Sequence, residues 1–379
     1  MQLYPVYSRL DIIPIKGQGS WIWDDQGHKY LDLYGGHAVI SIGHNHPTFT
    51  AALQDQLSKL PYYSNSVELP VQQELANKLG QLSGLPDYQL FLCNSGAEAN
   101  ENALKLASFQ TGKSGVIAFN KAFHGRTSAA VNVTQNLKIQ APINQGFPVF
   151  WCSLNDLDGV AQVLKTESIA AVILEGLQGI GGLDSPTVEF LENLSTLCAK
   201  HGTLLLLDEI QSGVGRTGDF FAFQQANIRP DLITMAKGLG NGFPVGAVMI
   251  HPKFQAFPGQ LGSTFGGNPL ACIAAKTVLE IIESEQLMQH ALYMEQAFKT
   301  QLNDLPGLKK IKGRGLMLGL EFDFPVQELR YQLLKQERLF TGSSANPNLL
   351  RILPPLNLEA TAINYLHQSL LSVLPVASF

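Results

Sequence analysis

LLLLDEIQSGVGRTGDFFAFQQANIRPDLITMAKGLGNGFPVG, residues 204–246, holds two short apolar runs, each ending in one ionisable side chain. Leu204 to Leu207 leads into Asp208, Leu232 to Ala236 leads into Lys237, and a glycine-rich turn follows each. Such runs predict two buried parallel strands, and open α/β sheets keep their sites at the carboxyl ends of such strands. A carboxylate and an amine would then face one cavity. A lysine directly after a buried run is partly desolvated, which disfavours its charged form and leaves a nucleophilic amine near neutral pH.

Such an amine can form a Schiff base. A fixed aspartate nearby is what a pyridoxal ring requires, because an anion at the pyridine nitrogen keeps it protonated and able to accept electrons. Either residue alone is ordinary, since strands end at solvent; the full string is not. DEIQSGVGRTG (208–218) followed by MAKGLGNGFPVGA (235–247) resembles the signature of the class III, ω-amino-acid aminotransferases. The resemblance extends from WDDQGHKYLDL (23–33) to RILPPL (351–356), and within the family it is closest to the N-acylornithine aminotransferases of arginine biosynthesis.

The resemblance implies an α/β protein of the pyridoxal-phosphate fold type I, with a mostly parallel central sheet and a smaller α+β domain. The large cofactor-binding domain is expected at 48–268, and the small one from both chain ends, 1–47 and 269–379. It further implies pyridoxal 5'-phosphate as cofactor and a homodimer with active sites at the subunit interface. The implied reaction moves the δ-amino group of N-acetylornithine or N-succinylornithine to 2-oxoglutarate, giving N-acylglutamate 5-semialdehyde and glutamate. Free ornithine and 4-aminobutyrate stay open as donors from the same class.

With 379 residues, 45% of them hydrophobic, the chain is long enough for two domains and a sizeable core. Its 26 basic and 31 acidic residues give a net charge of -5, which offers no basic footprint for nucleic acid and no polybasic membrane patch. No apolar run approaches the roughly 18 to 20 residues of a membrane helix, and Met1 to Arg9 lacks a signal-peptide pattern, so a cytoplasmic protein is expected. Cys93, Cys152, Cys198 and Cys272 lie far apart without a CxxC pair, which argues against a zinc site or a disulfide framework.

Several further stretches carry candidate site residues. SWIWDDQGHKYLDL (20–33) alternates around a DDQG turn like a β-hairpin, and His37 follows it. By the resemblance, His37 falls where ornithine-specific relatives place a tyrosine that holds the free amino acid. The histidines of GHNHP (43–47) lack further ligands at metal spacing and read as part of a turn. Helical periodicity appears at 48–60 and 70–82, and between them Tyr62, Tyr63 and Asn65 match a family loop that approaches the partner's site. NSGAEANENALKLA (94–107) sets Ser and Gly before good helix formers, and free amides at a helix start make an anion site. The resemblance makes Ser95, Gly96 and Ala97 the cradle of the cofactor phosphate.

KAFHGRTSAA (121–130) gathers Phe123, His124 and Arg126 at a strand end. Phe123 can stack on an aromatic ring and Arg126 can fork onto a carboxylate. In the family the aromatic and the histidine lie at the cofactor, and the arginine grips the substrate carboxylate. IAAVILE (169–175) reads as a buried strand ending at Glu175, a further substrate-side candidate. The loop after it, GLQGIGGLDSP, departs from the family's EPxQGEGG by Gly176 for Pro and Ile180 for Glu. Gln211 is implied at the ring hydroxyl, Thr264 in LGSTFGGNPLA (261–271) at the phosphate of the neighbouring subunit, and Arg351 as the second carboxylate-binding arginine.

A rival from another class rests on ASFQTGKS (107–114), a loose P-loop, with LLLLDE as its Walker B strand. A P-loop joins a strand to the following helix. Here a helix is expected before the GKS and a strand, GVIAF (115–119), after it. The order is reversed, and an ATPase is disfavoured.

Overall fold

The structure is a computed structural model, and it describes residues 1–374. The last five residues of the 269–379 segment thus lie outside the described residues. The N-terminal strands are β1 (Pro14–Gln18), β2 (Trp21–Asp24) and β3 (Lys29–Asp32); β2 and β3 form the antiparallel hairpin expected around the DDQG turn. The central strands follow as β4 (Gln89–Cys93), β5 (Gly115–Phe119), β6 (Val149–Cys152), β7 (Ile169–Glu175), β8 (Leu204–Asp208), β9 (Leu232–Met235) and β10 (Gly246–Ile250). They make one seven-stranded sheet in the order β4-β10-β9-β8-β7-β5-β6. All neighbours pair parallel except β10, which is antiparallel to both β9 and β4.

Side-chain alternation divides the apolar runs between two faces. Val116, Ala118, Leu204 and Leu206 pack on one face with Ala99, Ala103 and Ala107 of the helix Gly96–Thr111. Ile117, Phe119, Leu205 and Leu207 turn to the other, where Phe190, Leu191 and Leu194 of the helix Val188–His201 cover them. Burying each large aliphatic chain is worth about 1.5–3 kcal/mol. Leu207→Ala would leave a cavity between β8 and that helix and cost about 2–5 kcal/mol.

The helix Gly96–Thr111 precedes β5, so the glycine–lysine–serine stretch joins helix to strand and cannot cradle phosphate as a P-loop does. The remaining strands are β11 (Leu308–Arg314), β12 (Met317–Phe322), β13 (Leu339–Phe340) and β14 (Leu349–Ile352). β11, β12 and β14 form an antiparallel sheet, while β13 pairs parallel with β3, so the two ends of the chain share the sheet β1-β2-β3-β13. The four cysteines are buried and unpaired. Among the described residues no helix is long and apolar enough to cross a membrane.

Candidate active site

Asp208 ends β8 and pairs in register with Glu175 at the end of β7, while Lys237 follows β9 by two residues. Ser95 lies two residues beyond β4, which runs in the same sense as these strands, and Phe123 four beyond β5. One edge of the sheet therefore collects them, and the register of buried strands fixes where each side chain emerges.

Asp208 is 4% exposed and held from three sides. Its Oδ2 accepts from Asn100 Nδ2 at 2.8 Å and faces His124 Nδ1 at 2.7 Å; its Oδ1 accepts from Ile210 N at 3.0 Å. Thr234, opposite Asp208 on β9, donates its hydroxyl to Asn100 Oδ1 at 2.7 Å and so orients that amide. Oδ2 has both lone pairs engaged, whereas Oδ1 keeps one for an incoming cation. Asn100 and Thr234 had no part in the sequence reading. Their signal was present, for Asn100 stands beside Ala99 and Ala103 on the apolar face of its helix.

Lys237 has a positive φ of 43°, an uncommon conformation for a side-chain-bearing residue and one found at functional sites. Burial pushes its amine below the usual lysine range; the carboxylates of Asp208 and Glu175 oppose that shift and Arg351 adds to it. Glu175 is pushed up by burial and by Asp208, against the charge of His124 and two backbone donors. Those donors are Phe123 N at 3.1 Å and Gly179 N at 2.8 Å, one on each carboxylate oxygen. Glu175 thus serves the backbone and makes no ion pair with Arg351 among the described residues.

Arg351, on β14, is 2% exposed, and burial pulls its guanidinium down to about 10. It donates through Nε to Ser343 O and through Nη1 to Gln211 Oε1 at 3.3 Å. Gln211 in turn donates from Nε2 to His37 O at 3.0 Å. His37 belongs to a turn, Gly35 to Ala38, in which all four residues have positive φ, and its ring meets Tyr34 edge-on at 4.7 Å. Partial desolvation, then the charges of Arg351 and Lys237, lower its imidazole to about 4 and keep it neutral. Asp32 Oδ1 anchors the turn by accepting from Tyr34 N and Gly35 N at 3.0 and 2.8 Å.

Ser95 caps the helix Gly96–Thr111, its hydroxyl accepting from Glu98 N at 3.1 Å. The N–H groups of Gly96 and Ala97 meet no protein acceptor among the described residues. A Cβ on Gly96 would stand 2.8 Å from Ile210 Cγ2, so this helix start and the turn after β8 approach as only glycine allows. Arg126 is exposed and without an ion pair among the described residues. Thr264 lies apart: it is exposed, and its carbonyl accepts from Tyr62 OH at 3.2 Å, while Asn65 Nδ2 bonds Ser263 O and Gly266 O beside it. Among the described residues, none of its hydrogen-bond partners belongs to the group around Lys237 and Asp208. His44 and His46 point to different carboxylates, Asp32 at 2.8 Å and Glu285 at 2.9 Å.

A buried amine of lowered basicity, a carboxylate with a lone pair in reserve and an open helix start at one sheet edge suit an aldehyde, a protonated ring nitrogen and a phosphate respectively, and so define a pyridoxal-phosphate-dependent enzyme. The family model described as Aminotransferase class-III matches residues 5–374, and the chain belongs to that family. It is 43% identical over 368 residues to an acetylornithine aminotransferase of Nitrosomonas europaea, covering 93% of this chain and 92% of that one. An acetylornithine aminotransferase of Aquifex aeolicus is 39% identical, with 94% and 96% covered. Among solved structures, the ornithine aminotransferase of Toxoplasma gondii superposes with a TM-score of 0.88 at 29% identity, covering 98% of this chain and 93% of that one. The acetylornithine aminotransferase of Elizabethkingia anophelis gives 0.84 at 29%, with 97% and 96% covered. The chain is accordingly a pyridoxal-phosphate-dependent aminotransferase of α/β fold.

Proposed function

We propose that the enzyme transfers the δ-amino group of an N-acylated ornithine, acetyl or succinyl, to 2-oxoglutarate, as a step of arginine biosynthesis. The observation that carries this reading is the pairing of the Lys237–Asp208 centre with Arg351, a buried guanidinium whose side-chain partner is the neutral amide of Gln211. Such a cation favours a carboxylate that arrives with the substrate. Relatives with 39–43% identity over nearly the whole chain carry the acetylornithine name, which supports the donor.

Bound pyridoxal phosphate supplies a carbonyl that takes up an amine and a ring that accepts the electrons left behind. Lys237 Nζ would take the proton from the substrate carbon bearing the transferred nitrogen and return it to the carbon on the other side of that nitrogen. Asp208 Oδ1 would hold the ring nitrogen protonated, and His124 and Asn100 keep that carboxylate aimed. Ser95, Gly96 and Ala97 would hold the phosphate, with Thr264 of a second copy completing it, and Phe123 would cover the ring face. Gln211, which in this structure binds His37 and Arg351, would have to exchange one of those bonds to reach the ring hydroxyl. Arg126 and Arg351 would take the two carboxylates of glutamate and 2-oxoglutarate.

The same reading entails a homodimer in the cytoplasm, a cofactor-binding domain at 48–268 and a smaller domain from 1–47 and 269–379. Steady-state comparison of N-acetylornithine, N-succinylornithine, ornithine and 4-aminobutyrate tests it. An acylated donor is expected to lead by kcat/KM; a lead by ornithine or 4-aminobutyrate would overturn the donor.

A further inference from the structure

Arg216 lies in the glycine-rich turn that follows Asp208 and Gln211, is 3% exposed, and pairs with no carboxylate among the described residues. An unpaired buried guanidinium is costly unless its donors are satisfied. Here they meet backbone carbonyls from three remote parts of the chain: Leu316 O at 3.2 Å and Pro354 O through Nη1, and Ile40 O at 3.4 Å through Nη2. The tie to the β11–β12 turn is reciprocal, since Leu316 N donates to Arg216 O at 3.0 Å. At Gly315 a Cβ would stand 2.6 Å from that same oxygen, so the turn can close on Arg216 only with glycine there.

Each tethered segment leads to a group in the site. Pro354 is three residues beyond Arg351; Ile40 is three beyond His37 and follows the left-handed turn; Gln211 lies five residues before Arg216. Leu353 N also donates to Leu33 O at 2.8 Å, and a Cβ on Gly35 would stand 2.8 Å from Leu353 O, so the N-terminal and β14 segments meet beside the guanidinium. The Gln211 contacts to His37 and Arg351 span these same segments.

We propose that Arg216 is a positioning residue for the dicarboxylate: by clasping the carbonyls of Ile40, Leu316 and Pro354 it sets where Arg351 stands relative to Gln211 and Lys237. The inference rests on the reading of Arg351 as a carboxylate-binding group. A lysine can keep the charge but offers a single point of donation, whereas the planar guanidinium reaches three acceptors from one fixed fork.

The test compares the holoenzyme with Arg216→Lys, Arg216→Ala and, as a reference, Arg351→Lys, reading KM for 2-oxoglutarate, kcat and thermal midpoint for each. Arg216→Lys should raise that KM about tenfold with a smaller change in kcat. Guanidinium chloride at low millimolar concentration should restore much of the KM of Arg216→Ala, while equimolar urea should not. An Arg216→Lys protein with unchanged KM, or loss of kcat and KM in parallel with no guanidinium response, overturns the proposal and leaves Arg351 untouched. An unchanged KM in Arg351→Lys instead overturns the underlying reading of that arginine. Should Arg216→Ala fail to fold, Arg216→Lys carries the comparison alone, with an unchanged KM again decisive against it.

Discussion

Arg351 donates to the amide oxygen of Gln211 at 3.3 Å, and Ile180, two residues beyond a loop glutamine, leaves no acidic side chain to mask it. A Cβ on the neighbouring Gly179 would run into that Gln211 oxygen, and Ile180 O accepts from Ala345 N at 2.8 Å, two residues from the Ser343 carbonyl that Arg351 holds, so position 180 lies in the same neighbourhood. A carboxylate introduced there would compete with the incoming dicarboxylate. Ile180→Glu should raise the apparent KM for 2-oxoglutarate several-fold, roughly 1 kcal/mol of added competition, with a smaller effect on the N-acylornithine half-reaction. Single-turnover measurement of each half-reaction checks this, and an unchanged or tighter 2-oxoglutarate step would show that Arg351 already has an anionic partner.

Lys237→Ala should abolish covalent attachment of the cofactor and nearly all transamination while the fold survives, because the residue follows a strand end and fills no core. Borohydride reduction of the wild type followed by peptide mapping locates the attachment. Label on any other lysine would sink the assignment.

Asp208→Asn keeps the shape and removes the anion. The loss of one preorganised electrostatic group predicts a fall in kcat of about a hundredfold or more. The mutant amide would also have to turn its own donor away from Asn100 Nδ2, which now bonds Oδ2 at 2.8 Å. A change below about threefold would count against the role.

Thr264 is exposed and, among the described residues, hydrogen-bonds to no residue of the Lys237 site, so in the proposed homodimer its hydroxyl would serve the cofactor phosphate of the other copy. Thr264→Val should weaken cofactor binding by about 1.5–3 kcal/mol, the worth of a hydrogen bond to a charged group. Dilution that separates subunits should release cofactor as well. Monomers that keep cofactor and activity would refute both expectations.

The strands β5, β7, β8 and β9 were legible because they are buried along their whole length and therefore almost continuously apolar: β7 and β8 begin and end within a residue of where their runs do. Asp208 and Lys237 stood out for the same reason, as lone charges closing those runs. The antiparallel sense of β10 was not, since a buried strand reads alike in either direction. Nor was the support of the site. Arg216 acts through carbonyls of Ile40, Leu316 and Pro354, up to 176 positions away, and carbonyls leave no mark in side-chain pattern. Gln211 turned toward Arg351 for a reason equally silent in one dimension: the two meet only when β14 is laid beside the turn after β8.

The turn from Gly35 to Ala38 holds two side-chain-bearing residues, His37 at φ 69° and Ala38 at φ 63°, where glycine would rest at ease. Left-handed backbone costs such residues about 1–2 kcal/mol each. A campaign for a hardier catalyst would therefore find easy gains here, with Ala38→Gly among the first to raise the melting point. Those gains would be drawn from the wrong account, because the same twist aims the His37 carbonyl at Gln211. Glycine would also leave the turn freer to depart from that conformation, so the melting point of Ala38→Gly and its KM for 2-oxoglutarate should be read together.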